Sequence, residues 1–477
     1  MQSFLEIPDA SHYRLCNARV PVVLLQPWIR DALFATSSTL DDSVLNDSVL
    51  NDSVLNDSAL NDLALNDAAL NEQSELVSVD IEIRAGRLVS LRQSGLLSED
   101  DLQIPQRNLQ KSLVWPCFVD MHTHLDKGHI WARSPNPDGT FEGALNTVQR
   151  DSSQRWEEED VYRRAEFGLK CSYAHGTRAV RTHLDSFGAQ GEVSFRVFQQ
   201  LREAWRERID LQAVCLVTLD YFMDEEGERL ADLVASAGGI LGGVAFTNEN
   251  VVEQIDRVFQ LAKERSLNLD FHTDESLNFE DKNLRYVADA AIKHRFEGKV
   301  TCGHCCSLSV QEESVAQKTI ERVKAAGISV VSLPMCNLYL QGRKQGKTPR
   351  YRGVTVLHEL KNADIDVAIA SDNCRDPFFA YGDHDGLEVF TQSARIGHLD
   401  HPIGDWPRAI TTTPAKMMGL ANSGLIGEGM RADLVVFKAR SFNELMSRRQ
   451  CDRVVIRAGK QIDTTLPDYA ELDDLMH

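Results

Sequence analysis

The sequence holds no run of 18 apolar residues, the length that reads as a membrane-spanning helix, and no short basic and apolar opening ending in small residues. Neither a transmembrane anchor nor a secretory signal is expected, and the chain reads as cytoplasmic. It also lacks an excess of positive charge, since 51 Lys and Arg against 71 Asp and Glu leave a formal charge of −20. Nucleic-acid backbones and anionic membrane surfaces would be repelled, so the expected partner is a small molecule. Ten cysteines scattered through 477 residues do not form a disulfide frame. Cys302 and Cys305 make a C-x-x-C, but no second such pair and no H-x-E followed by P-C-x-x-C goes with it, so these read as packing residues. No stripe or motif marks an interface, which leaves a homo-oligomer open.

What is present is organised in three parts. From Asp41 to Gln73 the tripeptide L-N-D returns every five residues, a period that fits neither helix nor strand. This low-complexity insertion reads as an exposed loop without chemistry. Around it lie strand-like pieces, "YRLCNARVPVVLL" before and "VSVDIEIRAGRLVSLRQ" after, the second with a Gly-centred hairpin turn. The C-terminal stretches "ADLVVFKA" and "DRVVIRAGKQID" have the same texture. The two ends, residues 1–115 and 425–477, are therefore expected to build one small composite β-sandwich domain.

Between them, residues 116–424 alternate apolar runs with amphipathic, helix-period segments. The runs are 118–124, 177–185, 210–218, 242–247, 268–274, 299–304, 328–334 and 366–372. Eight βα units predict an α/β fold of the (β/α)8 TIM-barrel type, with chemistry at the C-terminal strand ends.

The polar residues fall at those ends. In "FVDMHTHLD", His122 and His124 stand two apart on a strand and so share a face. His272, His304 and Asp372 end the fifth, sixth and eighth runs. Four imidazoles and a carboxylate at one mouth call for a shared cation, and a nitrogen-rich set with one carboxylate suits Zn²⁺ or Fe²⁺. The fourth run, "GGVAFT", has no lysine to bridge a metal pair. One divalent ion on His122, His124, His272 and Asp372 is therefore expected. Such an ion makes hydroxide available near pH 7. Glu275, three residues beyond His272, is placed to move protons between water, ring nitrogen and leaving amine, with His304 and Asp372 polarising the water.

The elements "FVDMHTHLDK", "FHTDES", "VTCGH", "SDNCRDPF", "NLYLQGR" and "RGVTVLHEL" together resemble the cytosine deaminase branch of the amidohydrolase superfamily, over most of residues 112–440. The closing "LIGEGMRADLVVF" is similar to that family's return to its β domain. The resemblance implies a mononuclear hydrolytic deaminase of a small, cytosine-like nitrogen heterocycle. It places metal ligands at His122, His124, His272 and Asp372, a proton shuttle at Glu275 and a water-orienting histidine at His304. Recognition of the base departs from the pattern. Thr218 stands where the family has a glutamine, and Phe378 where it has a tryptophan. Lys127 is a further departure, fit either to meet an anionic group or to lie at the surface.

Two rival readings stay open. One is a hydrolase of cyclic amide or amidine rings of the hydantoin, creatinine or triazine type. The other is a non-catalytic scaffold that uses the acidic repeat.

Overall fold

The computed structural model describes residues 4–38, 75–96, 103–421, 423–448 and 452–477. The repeat of 41–73 lies outside them. The chain divides into two compact units.

The first unit comprises Met1–Cys117, Asp400–Pro407 and Asn422–Ile462. Its eight-stranded sheet takes strands from both ends of the sequence, in the order Lys460–Gln461, Arg453–Arg457, Leu434–Phe437, Leu113–Pro116, His12–Pro21, Leu76–Arg84 and Arg87–Gln93, with Gln106–Asn108 pairing beside His12–Pro21. The alternation in "VSVDIEIR" turns Val79, Ile81 and Ile83 into a core shared with Tyr13, Leu15, Val114, Leu434 and Ile456. The expected hairpin forms between Leu76–Arg84 and Arg87–Gln93. Its turn residues Ala85 and Gly86 both have positive φ, 47° and 77°, which a two-residue hairpin of this hand requires.

The second unit comprises Phe118–Leu399, Arg408–Ala421 and Asp463–His477. It contains eight parallel strands: β1 (Phe118–Thr123), β2 (Thr177–Asp185), β3 (Asp210–Leu216), β4 (Leu241–Ala245), β5 (Leu269–Thr273), β6 (Val300–His304), β7 (Ser329–Ser332) and β8 (Val367–Ile369). β1 to β3 form one sheet and β4 to β8 another. Isolated bridges, Val214 with Ile240 and Thr218 with Val244, run from β3 toward β4, and Thr123 bridges to Asp372 just past β8. Helices alternate with the strands and present apolar stripes inward. In Val251–Glu264, for example, Val251, Ile255, Val258, Phe259 and Ala262 are buried at helical spacing.

The last residues depart from the expected boundary, because Asp463–His477 belong to this unit rather than to the β sheet. Leu472 packs on Phe167 and Cys171, and Asp474 takes two hydrogen bonds from Arg163, so the tail is held to this unit by both apolar and charged contacts.

Candidate functional site

Strand alternation builds the site. β1 sends His122 and His124 to one face, and Asp372 is carried to them by backbone pairing. Its N–H donates to the His122 carbonyl at 2.8 Å, and Thr123 Oγ1 donates to the Asp372 carbonyl at 2.8 Å. His124 Nε2 lies 3.2 Å and His122 Nε2 3.7 Å from Asp372 Oδ1. His272, at the end of β5, brings its Nε2 to 3.4 Å from His124 Nε2. The four side chains are at most 5 % exposed. Space for the His122 ring depends on Gly303 of β6, where a Cβ would fall 2.8 Å from His122 Cε1.

This cluster is short of partners. Both nitrogens of His122, Nδ1 of His124 and His272, and both carboxylate oxygens of Asp372 are buried without a hydrogen bond. Leaving such groups unmatched is costly, and a cation is the partner that would satisfy imidazole and carboxylate at once. His122, His124 and Asp372 bring ligand atoms within 4.8 Å of one another, as do Glu275, His304 and Asp372. Burial, the neighbouring imidazoles and a nearby cation, Arg181 for His122 and Lys127 for His124 and His272, hold the three well below the usual histidine value, so they are neutral and able to ligate. Burial pushes Asp372 up to about 7, a shift that a bound cation would reverse.

Beside the cluster stands a group of three linked polar side chains, His304, Glu275 and Asn337. His304 Nδ1 lies 3.3 Å from Glu275 Oε1. Asn337, from the short helix Pro334–Leu340, donates its Nδ2 to both, at 3.0 and 3.2 Å. With Nδ1 accepting, His304 carries its proton on Nε2, the nitrogen without a protein partner. Burial and the nearby Asp372 raise Glu275 well above the usual carboxylate value.

A cavity of about 320 Å³ opens onto these residues. Thr218, Phe378 and Lys127 all line it. Phe378 meets Phe141 edge to face at 5.5 Å, and Phe246 lies 6.4 Å from Phe141. Phe141 opens helix α1 (Phe141–Arg155), started by Thr140 accepting from Gly143 N–H, and the same helix turns Leu145, Val148 and Gln149 to the cavity. Lys127 is not at the surface. It is 3 % exposed, and its Nζ donates to Asp185 Oδ1 at 2.6 Å. The anion it meets is thus the chain's own, and Asp185 also lines the cavity.

Sequence reasoning missed several of these residues. His183 on β2 holds its ring 3.9 Å from that of His122, tilted by 32°, and His122, His183 and His272 form a third group with ligand atoms within 4.8 Å. Its Nε2 is 3.3 Å from Asp270 Oδ1, and Asp270 in turn accepts from Arg181 at 2.8 Å. The signal was available, because Arg181, His183 and Asp185 alternate in "RTHLD" as His122 and His124 do in β1. Asn337 left no such trace.

The model described as "Amidohydrolase family" matches residues 190–462, downstream of the H-x-H. Over 402 residues the chain is 48 % identical to a pterin deaminase of Rhizobium rhizogenes, covering 84 % of this chain and 91 % of that protein. It is 27 % identical over 345 residues to N-isopropylammelide isopropyl amidohydrolase of Pseudomonas sp. strain ADP, covering 69 % of this chain and 81 % of that one. Among solved structures, 5-methylcytosine deaminase of Klebsiella pneumoniae liganded with 5-fluorocytosine superposes with a TM-score of 0.70 at 24 % identity, over 82 % of this chain and 95 % of that one, a likeness of fold.

Proposed function

Because the chain belongs to the amidohydrolase family, we propose that it is a metal-dependent aminohydrolase that removes the exocyclic amine of a pterin-type heterocycle. The observation that carries the reading is one cavity lined by His124, His272 and Asp372 of a cation-seeking cluster and by Glu275 and His304, both bonded by Asn337. The identity to a pterin deaminase supports a fused bicyclic ring over the single cytosine-like ring, and a cavity of about 320 Å³ with four phenylalanines has room for flat apolar faces. The bridges that run from β3 to β4 and from β8 to β1 support closure of the eight strands into a (β/α)8 barrel. The sheet drawn from both chain ends supports a small composite β domain.

His122, His124, His272 and Asp372 would hold one divalent cation, zinc or iron, which when bound acidifies a water molecule. The chain's own groups manage the rest. Glu275, protonated before reaction, gives its proton to the ring nitrogen beside the attacked carbon. It then relays a proton from the added oxygen to the amine, which leaves as ammonia while the carbon keeps the oxygen. His304 offers Nε2–H to that oxygen, and Asn337 fixes the tautomer that makes this possible. Thr218 supplies one hydroxyl to the ring edge, and Lys127, neutralised by Asp185, a cationic donor.

A panel of pterin, cytosine, isocytosine, N-isopropylammelide and a hydantoin, assayed for ammonia with metal-loaded protein, tests the reading. Ammonia from pterin in preference to the others is expected. Ring-opened product without ammonia would favour the cyclic-amide hydrolase instead. The absence of lysine from β4, Leu241–Ala245, speaks against the bridged metal pair which that chemistry often uses.

A further inference from the structure

The cluster formed by His129, Cys374 and His384 has no part in the chemistry above and shares no residue with the catalytic group. Its ligand atoms lie within 4.8 Å of one another, and the three residues are 4 %, 1 % and 3 % exposed. Both ring nitrogens of His129 and both of His384 are buried without a hydrogen bond. A neutral imidazole has one donor and one acceptor to satisfy, so each ring forfeits both where water cannot reach. The rings do not compensate one another, being 5.5 Å apart and tilted by 50°.

We propose that His129, Cys374 and His384 form a second metal site, which takes a structural Zn²⁺ ion. One sulfur and two imidazole nitrogens are three of the four donors that a tetrahedral zinc centre takes, and the softness of the sulfur disfavours magnesium or calcium. On binding, the Cys374 thiol loses its proton to solvent and the sulfur lone pair goes to the metal. Of the nearby charges, Asp383 and Arg164 are paired. Asp383 accepts from Tyr469 at 3.0 Å and pairs with His175 at 2.8 Å. Arg164 is held by Asp160, with N–O distances of 2.6 and 3.0 Å, and the Arg375 guanidinium lies 4.1 Å from the centre of the Tyr469 ring.

The backbone is arranged for the site. His129 N–H donates to the Cys374 carbonyl at 3.1 Å, and Trp131 N–H to that of Arg375 at 2.9 Å, so the segment after β1 is zipped to the segment after β8. His129 and His384 hold positive φ, 64° and 54°, a region that costs a non-glycine residue energy and turns the two rings inward. Helix α2 (Glu158–His175) leaves the space they need, since a Cβ on Gly168 would stand 3.0 Å from His384 Nε2. A zinc ion here would clamp the loop that carries Phe378 to the strand that carries His122 and His124.

The test uses the full chain, loaded with excess zinc, desalted and counted by mass spectrometry, and in parallel loaded with Co²⁺. Two zinc ions per chain are expected, falling to one in Cys374→Ser. Cobalt is expected to give a sulfur-to-metal charge-transfer band in the near ultraviolet that Cys374→Ser abolishes and that His124→Ala, which removes a ligand of the other site, retains. A wild-type chain that binds at most one metal and shows no such band overturns the proposal, and so does a Cys374→Ser protein with wild-type metal content. If Cys374→Ser does not fold, the wild-type count and cobalt spectrum decide.

Discussion

Asn337→Leu removes one amide that serves both groups proposed to move protons while keeping the branching of the side chain. The amide lies 3.0 Å from His304 Nδ1 and 3.2 Å from Glu275 Oε1 and is 1 % exposed, so water cannot take its place. Each hydrogen bond is worth about 1–1.5 kcal/mol. Losing both should raise the barrier by about 2–3 kcal/mol, a fall of roughly 30- to 150-fold in kcat/KM. The acceptors left unmatched cost about 1–3 kcal/mol of stability as well, a Tm drop of a few degrees in a chain this large. Asn337→Asp should be no rescue, because a carboxylate there favours the proton on His304 Nδ1 and takes it from Nε2. Ammonia release measured across substrate concentration and pH, with a melting curve for each variant, reads both effects. A folded Asn337→Leu protein whose kcat/KM stays within about threefold of wild type would refute the assignment of His304 and Glu275 to proton transfer.

Glu275→Gln should keep its metal but lose roughly 10²–10⁴-fold in turnover, the contribution of an acid–base group, as ammonia release against metal content will show. Gly303→Ala places a methyl 2.8 Å from His122 Cε1, so metal content and activity should fall together; unchanged metal content would mean that the ring can shift at no cost. Acid stability should depend on the network in which Arg133 donates to Asp151 and Asp160. Burial alone would raise these carboxyls, but Arg133, Ser134 and Trp156 hold Asp151, and Arg164 and Arg133 hold Asp160, below the usual value. Folded values below the unfolded ones mean that the stabilisation is complete above about pH 4 and is lost as pH falls through the folded values. Urea unfolding at stepped pH should therefore show Arg133→Met with a shallower acid dependence than wild type, and equal slopes would contradict this.

The strands and the first pair of histidines were legible because period-two alternation survives in a single sequence. "FVDMHTH" announces two imidazoles on one face whatever surrounds it. His183 follows the same rule, yet it sits between Arg181 and Asp185, and that flanking charge makes the run read as an ordinary polar face. Contacts between distant segments left no local mark. Lys127 is buried only because Asp185 arrives from β2, and Asn337 matters only because its helix brings it to His304 and Glu275. His129 and His384 look like loop residues until the segments that follow β1 and β8 are zipped together. The fate of the tail was equally hidden, since nothing in "YAELDDLMH" shows that Leu472 finds Phe167.

The most direct test of the central claim is turnover of pterin by zinc-loaded protein in water enriched in the heavy oxygen isotope, with the product weighed and ammonia counted. Hydrolytic deamination at this site should release one ammonia per product and put one heavy oxygen on the carbon that lost its nitrogen. Zinc-loaded protein that leaves pterin unchanged, or that yields product without ammonia and without label at that carbon, would contradict it.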